Sequence, residues 1–252
     1  MKFIVTGSAG FIGQALCRAL MKQGAQVIGI DRKNGIEADE IEEFLSDDVN
    51  AVFHLAAQTS VFNTDKCQII KDNIDTFISV CDACNSRGIK LVYASSSTAN
   101  PENTTSMYGL SKHFDEQYAQ IYNNKATGVR LHNVYGPNPR KGTLLYSLMH
   151  DDVVTLYNGG KNVRHFTYID DAVEGLIFAM GSSKKLINVA CPQAFTIRTF
   201  SLLANQYRKF EIAEICDKRV FDNLHQNVNQ NVYVVPLNYT LPPDGLEKSF
   251  SV

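Results

Sequence analysis

The sequence predicts an α/β fold, a doubly wound parallel sheet followed by a smaller C-terminal lobe. Apolar strand candidates alternate with amphipathic helices from residue 2 to about residue 131. This alternation is typical of a parallel sheet whose two faces are covered by helices. The strands 51–55 and 90–95 are apolar almost throughout, as strands buried on both faces should be. Beyond residue 133 the pattern loosens into shorter strands and loops with Gly and Pro, which predicts the second lobe.

The first strand, residues 2–6, ends in a glycine-rich loop that opens the first helix. Glycines in a Gly-x-x-Gly-x-x-Gly spacing let backbone N–H groups at a helix start approach a pyrophosphate. Asp31 follows the second strand, 26–30, where a carboxylate holds the ribose 2′-hydroxyl of NAD. The sequence therefore predicts a Rossmann-type dinucleotide site. The predicted cofactor residues of the loop are Gly7, Gly10, Phe11, Ile12 and Gly13.

The remaining elements continue the alternation. Helices are predicted near 38–46, 67–87, 107–124, 169–181 and 196–208, and further strands at 51–55, 90–95 and 126–131. Residues 223–231 are rich in Asn and Gln and are expected to form an exposed loop. Because ligands of such sheets bind at the carboxyl ends of the strands, the segments after each strand are where chemistry is expected. We expect an NAD-binding domain over 1–133 and a mainly substrate-binding lobe over 134–252, with segments near 163–181 returning to the first domain.

Net charge, hydropathy and cysteine spacing argue against nucleic acid, membrane and metal as partners. The net charge is −2 and no basic block is present, which argues against nucleic acid as a partner. No apolar run is long enough to span a bilayer, and the chain starts with a strand rather than a leader, so no membrane partner and a cytoplasmic location are expected. The six cysteines are scattered, and the single Cys-x-x-Cys, at Cys81 and Cys84, has no second pair or histidines. Reduced structural thiols and no metal site are expected.

A tyrosine and a lysine suited to proton exchange follow the strand 90–95. Tyr108 and Lys112 are four residues apart at the start of a predicted helix, so they share one face. A tyrosine with an ordinary pKa near ~10 needs help to exchange protons at neutral pH, and a neighbouring ammonium helps by favouring the phenolate. Tyr157 and Lys161 repeat the spacing, but the Asn-Gly-Gly between them is a turn signal.

Further motifs follow the strand ends in order along the chain. With the glycine loop, Asp31 and Tyr108-x-x-x-Lys112, they are His54-Leu-Ala-Ala-Gln58, Asn73, Tyr93-Ala-Ser-Ser-Ser97, Arg130-Leu-His-Asn-Val-Tyr-Gly-Pro137 and Arg164-His-Phe-Thr-Tyr-Ile-Asp-Asp171. Together these motifs resemble the extended short-chain dehydrogenase/reductases, and more narrowly the nucleotide-sugar epimerases and dehydratases. The match runs in order from residue 2 to about 208, and 241–248 resembles the family's closing segment, so the chain is expected to be complete.

The resemblance implies an NAD-dependent epimerase that acts on a nucleotide-diphosphate sugar. Tyr108 would be the acid/base, Lys112 would bind the nicotinamide ribose, and Ser97 would hydrogen-bond the reacting oxygen. The substrate's diphosphate would be held by Asn133 and by Arg164, whose planar fork suits phosphate. Further cofactor contacts are implied for Leu55, Ala56, Ala57, Gln58 and Asn73.

Two stretches depart from the family pattern. The stretch between Asp31 and the strand at 51 is short, with Gly35-Ile36 where a strand beside the adenine is usual. That strand is expected to be missing. Between Ser97 and Tyr108 the family's substrate-side loop is replaced by Ala99-Asn100-Pro101 and a few polar residues, so a more open substrate pocket is expected.

The choice of reaction depends on the residues after Ser97. Thr98 and Ala99 stand there, whereas the family's dehydratases carry an acid, and this favours a 4-epimerase cycle in which hydride leaves C4 and returns to the other face. A keto-sugar nucleotide reductase using NAD(P)H and a non-catalytic NAD-binding protein stay open. Lys141 is either the second acid/base of a heptose-type 6-epimerase or a loop lysine that binds phosphate. Arg32 beside Asp31 leaves NADP possible, although Asp31 favours NAD.

Other polar residues have simpler interpretations, and two helices predict a partner. His54 and His132 are interpreted as packed residues, and Asp170-Asp171 as a helix N-terminus rather than a metal pair. The helices 67–87 and 107–124 carry apolar positions on more than one face. We expect one face to pack on the sheet and another on a second copy, as in a homodimer.

Overall fold

The computed structural model describes residues 1–217, 219 and 222–251. Strands lie at β1 (Lys2–Thr6), β2 (Gln26–Ile30), β3 (Val49–His54), β4 (Lys90–Ser96), β5 (Ala126–Leu131), β6 (Val134–Tyr135), β7 (Val153–Tyr157), β8 (Val163–His165), β9 (Thr167–Tyr168), β10 (Leu186–Val189), β11 (Ala194–Thr196), β12 (Glu211–Ile215) and β13 (Tyr233–Val234). The α-helices are α1 (Phe11–Lys22), α2 (Lys66–Ile69), α3 (Thr76–Ser86), α4 (Met107–Tyr122), α5 (Leu144–His150), α6 (Ile169–Gly181), α7 (Ile197–Ala204) and α8 (Pro242–Phe250).

Seven of these strands form one parallel sheet in the order β13-β10-β5-β4-β3-β1-β2. The doubly wound fold predicted from the sequence is therefore confirmed. From β1 the chain moves first to β2 on one side and then to β3 on the other. The crevice between the carboxyl ends of β1 and β3 is thus the point where the strand order reverses, the usual ligand position in such sheets.

Two apolar layers cover the sheet. On one face α1 and α6 bury side chains such as Leu16 and Leu176 against the strands. On the other face α3 and α4 bury Phe77 and Ala119. The strands between them carry apolar residues on both faces, which explains their nearly unbroken apolar sequences.

Three predicted helices differ from the structure. The helix expected near 196–208 is the shorter α7, Ile197–Ala204. The helix expected near 38–46 is a 3-10 helix, Ala38–Phe44, and within the described residues 31–48 no strand forms beyond the edge strand β2. The strand expected to be missing is indeed absent from that stretch. The helix expected over 67–87 is α2 and α3 joined by a π-helical segment, Ile70–Asp75. Such segments are frequent at functional sites.

The smaller lobe is built around three strand pairs, β6 with β9, β7 with β12 and β8 with β11. Its core includes Tyr135, Phe166 and Phe200, with the two phenylalanine rings stacked at 3.8 Å. α6 packs on the main sheet and β10 and β13 extend it, so the chain crosses between the two parts more than once. Among the described helices, none has the length and apolar content to cross a bilayer. The six cysteines are free.

Candidate active site

The glycine loop joins β1 to α1 through close backbone contacts. Gly7 has φ +69°, and a Cβ there would lie 2.7 Å from the Ala56 nitrogen. A Cβ on Gly13 would overlap the Gly7 carbonyl oxygen. α1 begins at Phe11 with Gly10 as its N-cap and without a side-chain cap hydrogen bond, which leaves the first N–H groups of the helix available to a ligand. An anionic phosphate satisfies such a helix start, and the loop fits the pyrophosphate of a dinucleotide.

Asp31 and Arg32 follow β2 and point to different partners. The Asp31 carboxylate accepts hydrogen bonds from the Ala9 N–H at 3.0 Å and the Lys33 N–H at 2.9 Å, which places it beside the glycine loop. Arg32 donates instead to both oxygens of Asp72, at 3.0 and 3.3 Å, and to Glu37. The Asp72 hydrogen bond is the main reason why the pKa of Arg32 is raised. Its guanidinium is therefore already engaged by carboxylates.

The segment 55–58, which follows β3, is hydrogen-bonded to residues on both sides. The Ala56 N–H donates to the Thr6 hydroxyl at 3.3 Å. The Asn73 side chain accepts from the Gln58 N–H at 2.7 Å, donates to the Gln58 carbonyl at 3.0 Å and donates to Ser111 at 2.9 Å. Asn73, inside the π-helical segment, thus joins the 55–58 segment to α4. It acts on the predicted cofactor-lining residues through their backbone.

α4 approaches the end of β4 very closely. Ser106 caps the helix by accepting from the Gly109 N–H at 3.1 Å. A Cβ on Gly109 would lie only 2.7 Å from the Thr98 carbonyl oxygen. This contact brings the first turn of α4, which carries Tyr108, against the 3-10 turn Ser97–Ala99. The structure therefore places the elements that carry the predicted Ser97, Tyr108 and Lys112 against one another at the carboxyl end of β4.

A buried ionic network lies behind Tyr108. Lys112 donates to Asp115 at 2.9 Å, and the two side chains are only 3% and 0% exposed. Arg130 holds Glu116 with two hydrogen bonds of 2.7 Å, and Ser95 donates to Glu116 at 2.5 Å. Burial alone would lower the pKa of Lys112, but the charge of Asp115, together with the smaller effect of Tyr108, leaves it raised. Burial raises the pKa of Asp115 to about 6.

The two histidines are packed residues. Burial, and secondarily the Lys112 charge, lowers the pKa of His54 to about 3, and its Nδ1 pairs with Thr6 Oγ1 at 2.8 Å. Burial, and secondarily His165, lowers the pKa of His132 to about 3. Both imidazoles are neutral at physiological pH, as the interpretation from sequence requires. Asp171 lies in the first turn of α6, where its carboxylate accepts from the Thr240 N–H at 2.8 Å.

On the substrate side, the segment 222–227 lies against the predicted residues. Ser97 and Asn133 both donate to the Gln226 side-chain oxygen, at 3.1 and 3.0 Å. Arg164 forms an ion pair with Asp222 and donates to the Asn223 carbonyl at 2.8 Å. The segment is a loop, but the expectation that all of 223–231 is simply exposed is wrong, because these hydrogen bonds tie it to the site.

The shortened loop beside Ser97 is bonded to the same segment. Asn103, from this loop, donates to the Ser97 carbonyl at 2.9 Å and to the Asn227 carbonyl at 3.0 Å. These bonds join the shortened loop to the segment 222–227. Lys141, in contrast, is exposed in the turn before α5, next to Arg140, which bonds to the Thr59 hydroxyl. The structure does not bring Lys141 into the polar cluster.

Sequence reasoning missed three groups that the structure places at the site, namely Asp115, Glu116 and Gln226. The first two carried a signal, since α4 places two acids one turn after Lys112 on a face that packs against the sheet. No pattern in the sequence indicated Gln226, because it lies 129 residues from Ser97 and 93 residues from Asn133 along the chain.

The chain is similar to several known proteins. The chain is 29% identical to Protein CapI of Staphylococcus aureus over 227 residues, 70% of this chain and 68% of that protein. It is 27% identical to UDP-glucuronate 4-epimerase 3 of Arabidopsis thaliana over 237 residues, 72% of this chain and 55% of that one. The crystal structure of UDP-glucuronic acid 4-epimerase from Bacillus cereus, in complex with UDP-glucuronic acid and NAD, has the same fold, with a TM-score of 0.81 and 23% identity over 100% of this chain and 98% of that one.

Residues 3–190 match the profile of the NAD dependent epimerase/dehydratase family. The matched region contains the glycine loop, Asp31 and the Ser97, Tyr108 and Lys112 set. It agrees with the resemblance and the NAD cofactor predicted from the motifs. Since the match extends over well more than half of the sequence, the chain belongs to the NAD dependent epimerase/dehydratase family.

Proposed function

We propose that this protein is an NAD-dependent epimerase that inverts C4 of a nucleotide-diphosphate sugar. The observation that supports the proposal is the close packing of the first turn of α4, which carries Tyr108, on the turn that carries Ser97, at the same edge of the sheet as the glycine loop. A tyrosine, a serine hydroxyl and an ammonium at one point suit proton transfer at a sugar hydroxyl. The relatives named for UDP-glucuronate 4-epimerisation support the same chemistry.

Each residue has a distinct task in this proposal. Tyr108 accepts the proton of the C4 hydroxyl and later returns it, while the Lys112 ammonium stabilises the phenolate. Ser97 hydrogen-bonds the same sugar oxygen and fixes its distance to Tyr108. Bound NAD supplies the acceptor and donor of hydride, held at its pyrophosphate by the glycine loop and at its adenine ribose by Asp31.

The residues after Ser97 favour epimerisation over dehydration. Thr98 is buried, and its hydroxyl pairs with Ser96 Oγ at 2.9 Å. Neither it nor the buried Ala99 can protonate a leaving hydroxyl. Elimination of water needs a general acid at the departing oxygen, and the turn Ser97–Ala99 supplies none.

We also propose NAD rather than NADP as the working cofactor. Asp31 presents a carboxylate beside the glycine loop, where it would repel a 2′-phosphate. Arg32, which left NADP open at the level of sequence, is held by Asp72 and Glu37. Calorimetric titration of the apoprotein should therefore give a lower Kd for NAD than for NADP, and Arg32→Ala should leave that preference in place.

The direct test is turnover of UDP-glucuronic acid and UDP-glucose, followed by chromatographic separation of the C4 epimers. Tyr108→Phe removes the acid/base and should abolish epimer formation. Tyr157→Phe, in the second Tyr-x-x-x-Lys pair, is the matched control and should retain it, because that pair flanks a turn with Gly159 at φ +58°. Net change in absorbance at 340 nm would instead identify a reductase, and absence of epimers from any nucleotide sugar by an NAD-loaded protein would contradict the proposal.

We propose further that the chain forms a homodimer through the outer face of α4. Phe114, Tyr118 and Tyr122 form a continuous row of rings along this face, with centroids 5.9 and 4.6 Å apart. Ile121 beside them is 71% exposed. Apolar side chains at this spacing on a helix favour a partner helix. Light scattering should give twice the chain mass, and Ile121→Asp should reduce it to one; a wild-type mass of a single chain at micromolar concentration would exclude the dimer.

A further inference from the structure

The least expected group in the site is the carboxyl of Asp115. It is completely buried on α4, and one oxygen accepts from the Lys112 ammonium at 2.9 Å. Its other oxygen, Oδ1, is buried without a hydrogen-bond partner among the described residues. A buried carboxyl with one unsatisfied oxygen destabilises a fold, and an apolar side chain would fill the position without that cost. Packing alone therefore does not explain why a carboxyl group occupies this position.

Asp115 can be explained by the buried ammonium of Lys112, which requires a counter-ion to stay charged. Its side chain is 3% exposed, and burial disfavours the charged form of a lysine. The neighbouring acid cannot serve as its counter-ion, because both oxygens of Glu116 are held by Arg130 at 2.7 Å. Among the described residues, Asp115 is the carboxylate that forms an ion pair with Lys112.

We infer that Asp115 is a positioning residue, the counter-ion that keeps Lys112 protonated and holds its ammonium within reach of Tyr108. The inference rests on the proposed function, since it is Tyr108 that uses the charge. A neutral amine would not stabilise a phenolate, and a displaced ammonium would do so weakly. Asp115 thus acts through Lys112 and does not itself contact the reacting atoms.

The pair is surrounded by several other titratable groups, which bear on its pH dependence. They are Tyr108 and Glu116 on α4, His54 on β3, Tyr93 on β4, Arg130 on β5 and Cys81 on α3. Burial lowers the pKa of His54 to about 3 and raises those of Cys81 and Tyr93, so these three stay neutral between pH 5 and 8. Within that range the charge of Asp115 changes, because burial raises its pKa to about 6.

The test follows the Lys112 proton directly by NMR of protein with 13C-labelled lysine side chains, in the absence of cofactor and substrate. Lys112→Arg assigns the signal. In the wild-type protein the Lys112 ε-carbon signal should shift with a midpoint near pH 6, as Asp115 takes up its proton. In Asp115→Asn, which keeps the shape and one acceptor, that shift should vanish and Lys112 should lose its proton at least about one pH unit lower than in the wild type.

The controls separate this role from a structural one. Asp82→Asn removes an exposed carboxylate on α3 and should change neither titration, while Asp115→Glu should restore the wild-type behaviour in part. An Asp115→Asn protein whose Lys112 titrates as in the wild type would overturn the inference. If that variant does not fold, the absence of a Lys112 shift near pH 6 in the wild type overturns it instead. These NMR titrations need no turnover. They therefore test the role of Asp115 even if the separate assay finds no epimerase activity.

Discussion

Gly109 is the position at which the site geometry can be perturbed most specifically. Its Cα faces the turn after β4, and an added Cβ would lie 2.7 Å from the Thr98 carbonyl oxygen. Ordinary contact begins at 3.4 Å, so Gly109→Ala forces α4 away from that turn by roughly 0.7 Å. Tyr108 and Lys112 move with the helix, whereas Ser97 stays with β4.

The size of the effect follows from this displacement. A misplacement of about 1 Å in a catalytic group costs up to about 100-fold in rate, so kcat for epimerisation should fall roughly 10- to 100-fold. The glycine loop and Asp31 are not moved, so the Kd for NAD should rise by a much smaller factor than kcat falls, although Lys112, the expected partner of the nicotinamide ribose, moves with the helix. Overpacking destabilises the fold by about 1–3 kcal/mol, of which the better helix propensity of Ala offsets about 1 kcal/mol.

The assay is the kcat and KM of epimer formation, with NAD binding and urea unfolding measured on the same samples. Gly181→Ala, at the end of α6, is the matched control, because no atom lies within 4 Å of its added Cβ. Wild-type kcat in Gly109→Ala would refute the reasoning that the close packing of α4 sets the distance between Tyr108 and Ser97. Equal losses of kcat and of NAD affinity would also contradict it.

Three further outcomes are expected. Gly13→Ala, whose Cβ overlaps the Gly7 carbonyl oxygen, should weaken NAD binding at least about 100-fold by calorimetry, since it displaces the N–H donors of the loop; retained affinity would remove the loop from the site. Arg130→Met leaves the Glu116 charge buried without its partner and should lower the free energy of unfolding by about 3–5 kcal/mol in urea, whereas the double change with Glu116→Gln should recover part of the loss. Stability should also fall as the pH decreases from 6.5 towards 3, because the unfolded chain protonates His54 and His132 and the folded chain, in which burial lowers both pKa values to about 3, does not. Each histidine contributes about 1.4 kcal/mol per pH unit in that window, so His132→Gln should reduce the slope of the free energy of unfolding against pH; an unchanged slope in this variant would contradict the reasoning.

The parts of the site that lie close together in sequence could be predicted. The glycine loop, Asp31 and the Tyr108–Lys112 pair each depend on one strand end or one helix turn, and local pattern is sufficient for them. The partners of Arg32 could not be predicted, because Asp72 is 40 residues away and faces it only after the sheet is assembled. For the same reason a plausible 2′-phosphate ligand in the sequence is an ion-paired arginine in the structure.

The smaller lobe shows the same limit. Asn and Gln composition predicted a loop over 223–231, and the segment has neither helix nor regular strand. Polar composition cannot distinguish a loop bonded to water from one bonded to protein, since the amide groups can do either. Only the fold brings Gln226 to Ser97, with which it forms a hydrogen bond of 3.1 Å.

The position of Gln226 has a consequence for how binding measurements on this protein are interpreted. Its oxygen already accepts hydrogen bonds from Ser97 and Asn133. A ligand that reaches these two side chains must either include Gln226 in its own contacts or replace it. Its measured affinity is then a difference between two sets of hydrogen bonds, reduced by whatever it costs to move the segment. A weak Kd for a nucleotide sugar would therefore not mean that few contacts form, and the enthalpy of binding would understate them.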